Sequence, residues 1–103
     1  MNSTGYVLDR HVLDSLMRDL VAHDRRPSAY LVYLTISAQA GDGRLAMSLG
    51  QLAEQTGLSK RAVQAAVRHL AARGLLVIEK AGPTEPPRYQ TLKPWRRPRE
   101  VKL

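Results

Sequence analysis

The chain has 103 residues, of which 44% are apolar, and it contains no cysteine. This composition describes one globular domain and excludes disulfides and thiolate metal sites. The net charge is +7, and its excess lies in the second part of the chain: residues 1–57 hold five Arg and six acids, whereas residues 58–103 hold eleven Lys or Arg and three Glu. Such a surface attracts polyanions, of which nucleic acid is the commonest in a cytoplasm.

The first predicted element is a helix over about residues 10–22, with Asp9 placed to cap it. Its apolar residues recur at spacings of three and four and form a stripe two residues wide: Val12, Leu13, Leu16, Met17, Leu20 and Val21. A stripe of this width is either ordinary core or a surface that a second subunit covers. Residues 1–26 are therefore assigned as an N-terminal helix and dimerisation element, and we expect a homodimer through it.

A second helix is predicted from Pro27 to about Ala40, because proline suits a first helical turn and the Gly41–Gly43 segment favours a stop. One face carries Leu31, Leu34, Thr35 and Ala38, with Tyr30, Tyr33 and Ile36 around it. The residues that follow, 44–47, are predicted as a short strand.

Two capped helices come next. Ser48 and Gln51 have the spacing of a capping box, so a third helix begins there and ends at Gly57. Ser59 caps a fourth helix over about residues 60–73, which Gly74 closes.

The remaining elements are a hairpin and a tail. Residues 75–80 and 88–92 are predicted strands, and the proline-rich segment 81–87 is the loop between them. Residues 27–93 thus form one domain, and the basic, proline-rich residues 94–103 are a tail that we expect to be mobile.

The fourth helix has two distinct faces. An apolar row is expected to be buried together with Leu58: Val63, Ala66, Val67 and Leu70. The opposite row has the same spacing: Arg61, Gln64, Ala65 and Arg68. Arginine forms bidentate hydrogen bonds with guanine and glutamine does so with adenine, so this row is suited to reading base edges. Lys60 lies in the first turn, where a phosphate also meets free backbone N–H groups, and Ser59 is placed to bond the same phosphate.

The residues around this turn resemble a known family. The segments 52–63, LAEQTGLSKRAV, and 70–76, LAARGLL, look like the winged helix-turn-helix of bacterial regulators of the multiple-antibiotic-resistance type. The N-terminal domains of plasmid and phage replication initiators are similar. The resemblance covers about residues 28–92 and implies a mainly α fold with a small β-hairpin, here with an extra N-terminal helix.

In that family the helix after the turn is the recognition helix, which implicates these residues in DNA binding: Ser59, Lys60, Arg61, Gln64 and Arg68. Two departures stand out. Many relatives have Thr at position 62 and Arg at position 65, and this chain has Ala at both. The hairpin tip also lacks the cations of a wing that enters the minor groove.

Two further groups of cations are candidates for DNA contact. Lys80 and Arg88 flank the hairpin loop and are placed to bind phosphates. The tail residues Trp95, Arg96, Arg97 and Arg99 either extend the contact, as basic arms do in other DNA-binding proteins, or are only solvated.

The sequence therefore predicts a sequence-specific double-stranded DNA-binding protein, in the first place a small transcriptional regulator. A plasmid or phage replication or partition protein is the near alternative, and a winged helix used as a protein-interaction module is the more distant one. We expect no enzymatic activity, cofactor or metal, because the three histidines lack ligand spacing and no phosphate-binding glycine loop occurs. No run approaches the roughly 20 apolar residues of a membrane span, and the N-terminus has no secretion signal, so we expect a cytoplasmic protein without a membrane partner.

Overall fold

The computed structural model describes residues 5–6, 8–80 and 82–96. Four helices and three short strands occur in this part of the chain: α1 (residues 10–23), α2 (Pro27–Ala40), β1 (Leu45–Ala46), α3 (Leu49–Thr56), α4 (Lys60–Ala72), β2 (Leu76–Glu79) and β3 (Arg88–Thr91). The strands form one antiparallel sheet in the order β1–β3–β2. The predicted fold class, mainly α with a winged helix-turn-helix and an extra N-terminal helix, is confirmed.

The sheet contains one strand more than the predicted hairpin. β1 pairs with β3, with Leu45 opposite Tyr89, and the Met47 N–H continues the contact to the Pro87 carbonyl (3.1 Å). Local pattern predicts the strand at 44–47 but not its partner, which lies more than 40 residues further along the chain.

Helix α1 is wound more widely than an α-helix. Its backbone bonds reach five residues along the chain over Val12–Leu16 and Asp19–His23, which is the π-helical pattern. The wider turn aligns residues four apart and divides the predicted stripe into two rows. The inner row is buried: Val12, Leu16 and Leu20. The outer row is 38–53% exposed: Leu13, Met17 and Val21.

Helix α2 is the centre of the core. Its buried residues are Ala29, Tyr30, Val32, Tyr33, Ile36 and Ser37. The face that carries Leu31, Leu34, Thr35 and Ala38 is not the innermost one, since Leu31 is 42% exposed and the other three residues are half-buried. The helix is apolar on nearly every side and packs against α1, α3, α4 and β3, so periodicity does not reveal which side is innermost.

Two tyrosine hydroxyls join α2 to its neighbours. Tyr30 donates a hydrogen bond to the Val12 carbonyl of α1 (3.2 Å), and Tyr33 donates one to the Leu92 carbonyl after β3 (3.0 Å). Burial raises the pKa of Tyr30, so this hydroxyl keeps its proton and remains a donor. Within the described residues no helix is both long and apolar enough to cross a membrane.

The turn between α3 and α4 is built as predicted. Ser48 Oγ accepts the Gln51 N–H (3.1 Å), and Gln51 Oε1 accepts the Ser48 N–H (2.9 Å), which completes the capping box. Gly57 adopts a left-handed φ of 81° that a side chain would strain. Ser59 Oγ then accepts the Ala62 N–H (3.0 Å) and starts α4 in a new direction.

Candidate nucleic-acid interface

The two faces of α4 are separated as the sequence predicts. Its apolar row is buried: Val63, Ala66, Val67 and Leu70. Leu58, expected to be buried with that row, is half-buried against the same core. The opposite row is exposed: Arg61, Gln64, Ala65 and Arg68. Because Ser59 occupies the cap, Lys60 is the first helical residue, beside backbone N–H groups that have no partner within the helix.

A groove of about 550 Å³ lies between α4, the start of α3 and the hairpin. Lys60, Gln64 and Arg68 line it from α4, and Lys80 lines it from the end of β2. Its apolar floor includes Val67, Ile78 and Tyr89, and no carboxylate is among the described residues that line it. The groove therefore gathers four of the predicted DNA-binding residues in one concave, positively charged surface.

The cations of this region have no partner in the described part of the chain. No ion pair or side-chain hydrogen bond engages these residues there: Lys60, Arg61, Arg68, Lys80 and Arg88. Arg88 is exposed at the start of β3, opposite Glu79 in the strand register. Unpaired cations on one face are the groups that a polyanion neutralises on binding.

Arg96 differs from those cations because two carboxylates hold it. Its guanidinium binds both oxygens of Asp9 (2.6 and 2.8 Å) and Asp42 (3.0 Å). The hydrogen bond from Arg96 lowers the pKa of Asp9 to about 2, although partial burial opposes it, and the same contact raises the pKa of Arg96. Arg97 and Arg99, two further predicted tail contacts, lie outside the described residues.

Trp95 completes this contact between the two ends of the domain. Its indole N–H donates to Asp9 (2.9 Å), and its ring stacks on His11 with centroids 4.4 Å apart. We call Asp9, His11, Asp42, Trp95 and Arg96 the clasp. The expectation of a mobile tail from residue 94 is wrong for these first residues. The carboxylate of Asp9 binds Trp95 and Arg96, and the structure shows no side-chain cap on the first wide turn of α1.

A second ion-pair cluster joins the end of α1 to the last turn of α4. The carboxylate of Asp24, whose side chain is 7% exposed, accepts His69 Nε2 (2.8 Å) and His23 Nδ1 (3.1 Å) and pairs with Arg73. Burial raises the pKa of Asp24, but the hydrogen bonds from His69 and His23 and the charge of Arg73 outweigh it and hold the pKa at about 2. Sequence reasoning missed this cluster. The one available signal is that His69 and Arg73 are four apart and thus share a side of α4.

Comparison with known proteins agrees with this geometry. A family model described as a helix-turn-helix domain matches residues 26–76, from the residue before α2 to the start of β2. No curated protein and no solved structure matches the chain. The match supports a helix-turn-helix DNA-binding fold, and the resemblance to the multiple-antibiotic-resistance regulators or to replication initiators stays a prediction.

Proposed function

We propose that the chain is a sequence-specific double-stranded DNA-binding protein, and in the first place a small transcriptional regulator. The observation that carries the proposal is the face of α4, where unpaired cations and one exposed amide stand in a single row beside a charged groove. Helix α4 lies in the major groove, as recognition helices of this fold do. A role on DNA is consistent with the expected cytoplasmic location.

The three polar side chains of the row have defined tasks. Arg61 and Arg68 reach guanine, and Gln64 reaches adenine, because their paired donors and acceptors match those base edges. Lys60 and the N-terminal backbone N–H groups of α4 hold a phosphate, which fixes the register of the helix on the duplex. Because positions 62 and 65 are Ala, base reading depends on Arg61, Gln64 and Arg68.

The test is equilibrium selection from random duplex DNA, with sequencing of the retained fraction at low and near-physiological salt. A sequence-specific protein enriches one motif that survives the higher salt, whereas a merely basic surface enriches none and loses binding. The variant Arg61→Glu/Arg68→Glu should lose the enrichment. Arg26→Glu changes charge at an exposed position in the connection between α1 and α2 and should keep the enrichment.

The same selection separates the alternatives. A replication or partition protein would also enrich a motif, and its role would follow from where that motif lies relative to origins and promoters. A protein-interaction module, which the cation-free hairpin tip favours, would enrich nothing, and its partner would still bind after the charge reversal on α4.

We further propose that two copies pair through the outer row of α1. Asp14 and Arg18, both exposed, run beside that row. In an antiparallel pair Asp14 of one copy faces Arg18 of the other, whereas a parallel pair would bring like charges together. A two-fold pair of this kind predicts inverted half-sites about one helical turn apart on the DNA.

Sedimentation at increasing protein concentration tests this pairing. Met17→Glu, in the middle of the outer row, should yield a monomer, while Val77→Glu on β2 should not, although both side chains are 41% exposed. A native chain that stays monomeric throughout the concentration series would contradict the pairing and leave the DNA contact to single copies.

A further inference from the structure

The hairpin divides into a charged stem and a tip without cations. Lys80 and Arg88 belong to the stem, whereas residues 82–87 between them include three prolines and carry a single charge, that of Glu85. The minor groove has a strongly negative potential and attracts inserted Arg or Lys. An acidic, proline-rich tip is repelled from it, so the tip is a poor wing for the minor groove.

The groove beside the stem has the opposite character. Lys60 and Arg68 stand on the α4 side and Lys80 on the stem side, with apolar side chains between them. Ile78 is 38% exposed there, which is a large aliphatic surface to leave open between cations. A surface that combines cations with an apolar floor is complementary to a backbone that alternates charged and apolar groups.

The backbone of one DNA strand alternates in that way. Each strand carries one phosphate per 3.4 Å of helix axis, and between the phosphates the deoxyriboses present C–H surface. Lys60 and Lys80, on opposite sides of the groove, match the phosphates, and the aliphatic floor matches a sugar. The absence of any carboxylate among the described lining residues removes the repulsion that a strand would otherwise meet.

We propose that the groove between α4 and the hairpin stem holds the backbone of one DNA strand at the edge of the major groove, with Ile78 packed on a deoxyribose. Lys60 and Lys80 bind phosphates on either side of that sugar. The hairpin tip remains outside the minor groove. This inference depends on the proposed function, because it describes how the duplex is seated.

Neighbouring residues of β2 provide a matched test. Val77 and Ile78 have nearly equal exposure, 41% and 38%, but successive strand residues point to opposite faces and Val77 is not part of the groove lining. Ile78→Glu should weaken binding to the selected duplex about tenfold or more, because it sets a carboxylate against the phosphate backbone. Ile78→Lys should bind at least as tightly as the native chain and steepen the salt dependence by about one unit.

The control variants Val77→Glu and Val77→Lys should stay close to the native affinity. Unfolding would weaken binding by both Ile78 variants, so it cannot explain opposite responses to Glu and Lys at this position. Melting curves of all four variants verify that they are folded. Native-like binding by both Ile78 variants would show that no strand enters the groove and would overturn the inference.

Modified bases test the path of the tip. Inosine in place of guanine removes only the minor-groove amino group, whereas 7-deazaguanine removes the major-groove N7 acceptor. We expect inosine and replacement of residues 83–86 by Gly and Ser to leave affinity unchanged, and 7-deazaguanine to reduce it. A loss of affinity with inosine or with the replaced tip would indicate that the tip enters the minor groove. That result would overturn this inference but leave the proposed function intact. A native chain that retains no duplex would overturn the proposed function as well.

Discussion

Two regions of this domain treat positive charge in opposite ways. On the exposed face of α4 (Lys60, Arg61 and Arg68) and on the hairpin stem the cations have no carboxylate partner in the described residues. In the clasp and around Asp24, by contrast, each cation is held by a buried or half-buried acid. A net charge of +7 does not distinguish these uses. The comparison teaches that pairing, and not the number of cations, separates a surface kept for a polyanion from contacts that stabilise the fold.

The cluster around Asp24 offers the largest effect on the stabilising side of that comparison. Asp24→Asn should lower the free energy of unfolding by about 2–3 kcal/mol near pH 7, since lowering the pKa of this carboxyl from its ordinary value of 3.8 to about 2 corresponds to that range. The lowered pKa stabilises the fold above about pH 4, and this contribution disappears as the pH falls towards 2. Urea unfolding at several pH values should show the native chain and the variant converging in acid. A difference that is as large at pH 2 as at pH 7 would contradict the assignment.

Arg61→Ala addresses the other side of the comparison. It should weaken binding to the selected duplex by about 1–3 kcal/mol and relax the preference at one base pair, because a bidentate contact to guanine is lost. Thermal stability should remain native, since Arg61 has no partner in the described structure. Binding to a panel of single-base substitutions measures the preference. An unchanged preference would show that Arg61 does not read a base.

Trp95→Phe makes a smaller change in the clasp. The phenyl ring retains stacking on His11 but cannot donate the hydrogen bond to Asp9, so we expect a loss of about 1 kcal/mol in unfolding free energy. DNA affinity should stay within the error of the measurement. A marked loss of DNA affinity without a loss of stability would show that the clasp contributes to DNA binding and not to the stability of the fold.

Lys60→Ala and Arg96→Ala compare an unpaired cation with a paired one most directly. The sequence predicts both residues as DNA contacts, but in the structure only Arg96 is held by carboxylates. Lys60→Ala should weaken binding to all sequences alike and reduce the slope of log affinity against log salt by about one. Arg96→Ala should leave that slope unchanged, because Asp9 and Asp42 already neutralise its charge. Equal slopes for the two variants would remove the distinction between paired and unpaired cations.

The parts of the fold that could be predicted from sequence are those set by neighbours along the chain. Ser48, Gly57 and Ser59 mark helix ends because caps and left-handed turns act over three or four residues. The exposed row of α4 follows from the same short-range spacing. Its separation from the buried row agrees with the observed burial.

The rest depends on contacts that local patterns do not contain. Asp24 meets His69 and Arg73 across 45 and 49 residues, and Asp9 meets Arg96 across 87. In the sequence each is only an acid or a cation of a polar segment. Whether a cation is free or paired, which decides its use here, could be known only from the tertiary structure.

The clasp also has a consequence for the order of folding. Its contacts join residues 9 and 11 to residues 95 and 96, so they close a loop that contains nearly the whole domain. During synthesis on a ribosome the helix-turn-helix can form before this loop closes, whereas α1 is fastened by Trp95 only once the last strand has emerged. Trp95 is the single tryptophan of the chain. Its fluorescence therefore reports the closure of this loop, separately from the helical signal of the helix-turn-helix.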